Sequence, residues 1–208
     1  MKNSEIQNHY KNLFEAYGDN IESTQQKDRE QQNNRFSVFL RNPYIGNNDR
    51  VADFGCGLGD LYNFFKQNEL NVKYHGYDFV AEIIENNNKK FQLDSDVNFS
   101  FLNIENIDDF PTNYDWGIIS GVFNNKREDS IKFYQSVIKT MYLNSKKGVM
   151  FNMLTTYVDY FDENLDYFDP KNVFDFCKKE LGAKVALIND YEVNKNVIPF
   201  EFTIFVNK

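Results

Sequence analysis

The chain has 208 residues, and 23 Lys and Arg against 31 Asp and Glu give it a net charge of −8. That length suits one compact domain with room for a small appendage, and 41% hydrophobic residues, 17% of the chain being aromatic, are enough for a packed core and exclude wholesale disorder. Cys56 and Cys177 are too few for a disulfide framework or a cysteine-rich zinc site, no apolar run is long enough to span a bilayer, and Met1 to Tyr10 is too polar for a secretory signal, so a cytoplasmic protein without a metal is expected.

Ile6, Tyr10, Leu13, Phe14 and Tyr17 recur at helical spacing, and Gly18 offers a stop. From Glu22 to Asn34 the chain is almost wholly polar, which predicts either a linker or one exposed helix face. Phe36, Phe39 and Leu40 restore an apolar face before Pro43 ends the helix. From Arg50 onward strands and helices alternate. Val51 to Phe54 is a short apolar strand running into glycines, and Leu61, Phe64 and Phe65 mark the helix that follows. Strands are expected at Val72 to Tyr77, Val97 to Leu102, Trp116 to Ser120 and Gly148 to Leu154, with helices around Ile83–Ile84 and Ile131–Met141. This alternation implies a parallel sheet covered on both faces. Asp169-Pro170 reads as an N-cap followed by proline at the first helical position, and Gly182 closes that helix. Lys184 to Ile188 and Phe200 to Val206 then follow as strands with only a loop between them, so they pair antiparallel if they pair with each other.

The segment Val51-Ala-Asp-Phe-Gly-Cys-Gly-Leu-Gly-Asp60 carries the chemistry. A strand that ends in Gly55-x-Gly57-x-Gly59 and opens a helix lets the backbone pass close to a ligand, and Asp78 ends the next strand, where a carboxylate can take ribose hydroxyls. The dinucleotide spacing requires a glycine where this chain has Asp60, and no Gly-Lys-Ser/Thr follows for a phosphate loop. Asp53, two residues before the first glycine, would repel a pyrophosphate but attract a sulfonium or an ammonium. The pattern therefore suits a nucleoside without phosphates.

In Asp53, Gly55, Gly57, Gly59 and Asp78 the chain resembles the class I S-adenosylmethionine-dependent methyltransferases, whose first motif is acidic-x-Gly-x-Gly-x-Gly. The resemblance extends at lower specificity over residues 45 to 208. It implies a Rossmann-like, doubly wound α/β fold with a seven-stranded sheet, mostly parallel with an antiparallel C-terminal strand, preceded here by N-terminal helices. It also implies S-adenosylmethionine as donor, with S-adenosylhomocysteine as product. By that resemblance Gly55, Cys56, Gly57 and Leu58 pass the methionine part, Asp78 holds the ribose and Phe79 borders the adenine. Asn103, Ile104 and Glu105 stand where the family contacts the adenine, and Ser120, Gly121 and Val122 where it opens towards the methyl group.

Methyl transfer is an in-line displacement whose electrophile arrives with the cofactor, so the protein must align, exclude water and sometimes remove a proton. No loud catalytic constellation is expected, and none is visible. Asp159 and Tyr160, in the polar loop after the fifth strand, and His9, on the first helix, are the candidate catalytic groups. Arg35 is a candidate partner for the methionine carboxylate. Residues 1–45 are expected to form a helical lid on the substrate side, and residues 46–208 the cofactor-binding domain. The fourth strand continues Ser120-Gly121-Val122-Phe123 and not Asn/Asp-Pro-Pro-Tyr/Phe, and no basic stripe is present, so DNA is not an expected partner. The expected acceptor is a small molecule, methylated on oxygen or nitrogen by a monomer or homodimer. A protein or RNA acceptor, or a non-catalytic module that only binds the cofactor, remains as an alternative.

Overall fold

Hydrophobic alternation in the central strands sorts the core onto two faces of a seven-stranded sheet. In the computed structural model, which describes residues 2–26, 28–195 and 197–208, the strands are β1 (Arg50–Phe54), β2 (Lys73–Asp78), β3 (Val97–Phe101), β4 (Tyr114–Ile119), β5 (Ser145–Leu154), β6 (Lys184–Ile188) and β7 (Glu201–Asn207). Their order across the sheet is β3-β2-β1-β4-β5-β7-β6. The pairs from β3 through to β5 are parallel, while β7 is antiparallel to both β5 and β6. The fold is the expected Rossmann-like one, and its last strand runs against the rest.

The helices are α1 (Asn3–Tyr17), α2 (Arg29–Ser37), α3 (Asp60–Gln67), α4 (Ala81–Lys90), α5 (Ser130–Asn144) and α6 (Pro170–Glu180). Ala52, Phe54, Ile119, Phe151 and Ile204 point to the face covered by α5 and α6. Val51, Trp116, Ile118, Met150 and Phe205 point to the other, against Phe36, Phe39 and the apolar stripe of α3. Successive side chains of a strand face opposite ways, so short apolar runs can serve two layers at once. α6 starts as its sequence dictates, with Asp169 accepting a hydrogen bond from the Lys171 amide and Pro170 filling the first turn. β5 begins three residues earlier than the apolar pattern indicated, directly from the end of α5.

The polar stretch after the first helix is neither a loose linker nor one exposed face. It forms a 3-10 turn at Ile21–Thr24 and then α2, and it buries Ser23, Gln32 and Arg35. Hydrogen bonds of Gln32 and the ion pair of Arg35 replace apolar burial there, which is why hydrophobic periodicity gives no sign of it. Met1, Lys27 and Asn196 lie outside the described residues. Among the described residues no helix is long and apolar enough to cross a membrane.

Candidate active site

A cleft opens at the C-terminal ends of β1, β2 and β4, the side of an open α/β sheet where ligands bind. Its floor is the loop after β1. Gly55 and Cys56 both donate to the Tyr77 carbonyl, at 2.7 and 3.0 Å, which folds the loop back over β2. Gly55 has φ +81° and Gly57 φ +49°, in the left-handed region that favours glycine. A Cβ on Gly55 would lie 2.2 Å from Val122 Cγ2, and one on Gly57 2.9 Å from Thr24 Cγ2, so side chains are excluded by space as well as by conformation.

Asp78 organises this loop. One carboxylate oxygen accepts from the Gly57 amide at 3.0 Å and the other from the Val80 amide at 3.0 Å. Burial raises its pKa, and these backbone donors pull it partly back. Asn87 secures the other side of the loop by donating to the Gly57 carbonyl at 2.7 Å. Asp53 lies beneath, 3% exposed, and accepts a hydrogen bond from the Tyr74 hydroxyl. Burial and the neighbouring Asp78 push its pKa up to about 7, against the Tyr74 bond. Two crowded carboxylates in one cleft favour a cationic ligand.

The shift in Asp53 has a measurable consequence. A folded-state pKa raised above the ordinary 3.8 means that the folded protein holds the proton more tightly than the unfolded chain. The resulting stability is fully present below the ordinary value and declines as pH rises through the folded value near 7. Wild type is expected to lose about 2–3 kcal/mol more than Asp53→Asn between pH 5 and pH 8 in denaturant titrations. Parallel pH profiles for the two proteins would show that Asp53 titrates normally.

The loop after β4 is set by Asn152 on β5, which accepts from the Gly121 amide at 2.8 Å and donates to Ser120 Oγ at 3.0 Å. The N-terminal segment covers the cleft by bonding to one strand-end loop after another. Asn3 donates to Asn103 at 3.1 Å, Gln7 to the Phe79 carbonyl at 2.5 Å, and Asn125 to the Tyr10 hydroxyl at 2.9 Å. Gln32 and Arg29 reach Asp60, the first residue of α3.

Most of the residues expected at a cofactor line this cleft. Asp53, Gly55, Cys56, Gly57, Leu58, Asp78, Phe79, Ile104, Ser120, Gly121 and Val122 are among them. Gly59 caps α3 just outside the lining, with its left-handed φ of +76°. Asn103 and Glu105 also stand back from the lining. Asn103 turns its oxygen to the Glu105 amide, and Glu105 pairs with Arg127. Cys56 is buried, and burial drives its thiol pKa well up, so it fills space as a thiol and not as a nucleophile.

Arg35 lines the cleft, but its guanidinium is engaged. Nε and Nη2 hold both oxygens of Glu201 at 2.6–3.0 Å, and Nη1 donates to Gln26 at 2.9 Å. Asp159 and Tyr160 are not brought to the cleft at all. They sit exposed, Tyr160 at 76%, on a loop tied down by bonds from Thr155 to the Phe200 carbonyl and from Thr156 to the Phe168 carbonyl. His9 is one step removed from the lining: its ring nitrogen meets the Gln25 amide at 2.6 Å, and Gln25 in turn accepts from Tyr10. Asn125, in the stretch after the fourth strand expected on the substrate side, does line the cleft, whereas sequence reasoning missed Asn3, Tyr10, Gln26, Gln32 and Arg127 as lining residues. Only Tyr10 carried a signal, its place on the apolar stripe of α1.

Comparison with known proteins agrees with this geometry. Residues 52–142 match the family model described as a methyltransferase domain. Over those residues the chain is similar to a methyltransferase domain. A Mycobacterium tuberculosis protein provisionally named a methyltransferase is 29% identical over 164 residues, spanning 76% of this chain and 92% of its own. Magnesium protoporphyrin IX methyltransferase from Synechocystis PCC 6803, solved with S-adenosylhomocysteine, superposes over 100% of both chains with a TM-score of 0.71 at 10% identity. Phosphoethanolamine N-methyltransferase 2 of Haemonchus contortus, solved with S-adenosylmethionine, gives a TM-score of 0.60 at 14% identity over 76% of this chain and 38% of that one. At such identities the likeness to these structures is one of fold.

The cleft fits S-adenosylmethionine, the donor that the structural neighbours bind. The glycine loop leaves room where side chains would clash, and Asp53 and Asp78 suit a cationic nucleoside. Phe79, Leu102 and Ile104 form an apolar wall suited to a base. The two guanidiniums at the cleft are already paired, Arg35 with Glu201 and Arg127 with Glu105, which disfavours a pyrophosphate.

Proposed function

We propose that this methyltransferase transfers the methyl group of S-adenosylmethionine to an oxygen or nitrogen of a small molecule. The observation that carries the reading is the cover. The N-terminal segment bonds to the loops after β2, β3 and β4 and rests Thr24 on Gly57, so the cleft is roofed and not an open groove for a polymer. Residues 2–45 act in this reading as a helical lid that admits a small acceptor, closes over it and excludes water. Faster hydrogen exchange across Ile6 to Tyr17 in the free protein than with S-adenosylhomocysteine bound is the expected sign of a moving lid. Equal protection in both states would make it a fixed roof.

Bound S-adenosylmethionine supplies an electrophilic methyl group on a sulfonium. The chain's own part is to hold, align and dehydrate. Among the described lining residues each carboxylate already has structural partners, Asp53 in Tyr74, Asp78 in two backbone amides and Asp60 in Gln32 and Arg29, and Asp78 in this reading takes the ribose as well. Burial raises the Tyr10 phenol above its ordinary value, so it stays protonated. The acceptor in this reading therefore arrives already nucleophilic, as a neutral amine or an ionised oxygen, and the neutral polar groups of Ser120, Asn125 and Gln26 orient it. A screen of a metabolite library with methyl-labelled donor tests the proposal. Label in a small amine, phenol or acid supports it. Label in RNA or protein from a cell extract, with none in the library, would replace it with a macromolecular acceptor, and donor binding without transfer to either would leave a cofactor-binding module.

A further inference from the structure

Tyr10 is one of the cleft residues that come from neither the glycine motif nor the strand-end loops. It stands on α1, with its ring centroid 6.3 Å from that of Phe79. Asp78 and Arg127 are the charges close enough to act on its hydroxyl. That hydroxyl donates to Gln25 Oε1 at 2.9 Å and accepts from Asn125 Nδ2 at 2.9 Å. A phenol oxygen has one hydrogen to give and two lone pairs to receive. The hydrogen and one lone pair are spent on groups from two different segments, which fixes the orientation of the hydroxyl. One lone pair is left, on an oxygen of a half-buried residue that lines the same cleft as Asp78.

We infer that Tyr10 is a donor-binding residue whose remaining lone pair accepts a hydrogen bond from one ribose hydroxyl of the nucleoside, while Asp78 takes the other. The inference rests on the reading that the cleft holds S-adenosylmethionine. It makes the N-terminal segment part of the cofactor site itself. Asn125 and Gln25 then act as positioning residues, because they turn the phenol into a fixed acceptor. The raised pKa agrees with this role, since a phenol that keeps its proton can go on donating to Gln25 while it receives from the ribose.

Tyr10→Phe removes the hydroxyl and keeps the ring, so calorimetry on this variant isolates the bond. The ligands are S-adenosylhomocysteine and its 2′-deoxy and 3′-deoxy analogues, each titrated into wild type and variant after melting curves have shown both to be folded. The variant is expected to bind S-adenosylhomocysteine about fivefold more weakly. It should bind one of the two deoxy analogues within about twofold of wild type, because the partner hydroxyl is already missing from that ligand. An equal loss for all three ligands would mean a general effect on the cleft and overturns the inference, as does no loss for any. A wild-type protein that binds none of the three overturns the donor reading and this inference together, and is told apart by the absence of heat before any substitution is made.

Discussion

Glu201→Ala is expected to cost about 3–5 kcal/mol of stability, the loss that follows when one member of a buried ion pair is removed and the other is left uncompensated. Glu201 is 2% exposed at the start of β7, and Arg35 comes to it from α2 with 166 residues of chain between them. Three hydrogen bonds join the pair, and Gln26 occupies the remaining arm of the guanidinium. The pair fastens the cover segment to the far side of the sheet, so the damage is expected to reach the cleft as well as the melting temperature. Urea titration measures the first, and binding of S-adenosylhomocysteine at a temperature where both proteins are folded measures the second. The double variant Arg35→Met with Glu201→Leu should recover part of the stability, since no lone charge is then buried. If Glu201→Ala melts within 1 kcal/mol of wild type, water reaches the pair and the cover is not held as the geometry indicates.

The second large effect concerns Asp78→Ala. Each charge-assisted hydrogen bond lost to the ribose should weaken the cofactor by about 1.5–3 kcal/mol, tenfold or more in affinity. The fold pays separately. Asp78 also receives the Gly57 and Val80 amides, and orphaning those donors costs about 1–3 kcal/mol. The two effects separate when affinity is measured well below the lower melting temperature. A variant that melts lower yet binds S-adenosylhomocysteine like wild type would reduce Asp78 to a clasp for the glycine loop.

The parts of the molecule legible in its sequence are those whose physics is local. Val51 to Asp60 encodes a strand, a loop of left-handed glycines and a helix start within ten residues, and the structure builds that unit as read. Asp169-Pro170 and the alternating strands were equally plain, because capping and pleat periodicity depend on near neighbours. The cover was harder to read. Glu22 to Asn34 has no hydrophobic period; within it Gln32 is held by Asp60, 28 residues further on, and Arg35, just beyond it, by Glu201. The Tyr10–Asn125 bond spans 115 residues and leaves no local trace. The side-chain types of Asp159 and Tyr160 suit proton transfer, but residue type does not say which way a loop is tied. The contacts of Thr155 and Thr156 hold that loop away from the cleft. Arg35 was placed at the cleft by its helix, yet the carboxylate it meets belongs to the protein.

Titration of the purified protein with S-adenosylhomocysteine, and in parallel with NAD, tests the central claim most directly. The cleft has paired its guanidiniums, crowds Asp53 and Asp78 together and breaks the dinucleotide spacing at Asp60. Saturable heat with S-adenosylhomocysteine at micromolar concentration, and none with NAD, is the expected result. Tight binding of NAD with no response to S-adenosylhomocysteine would contradict the account.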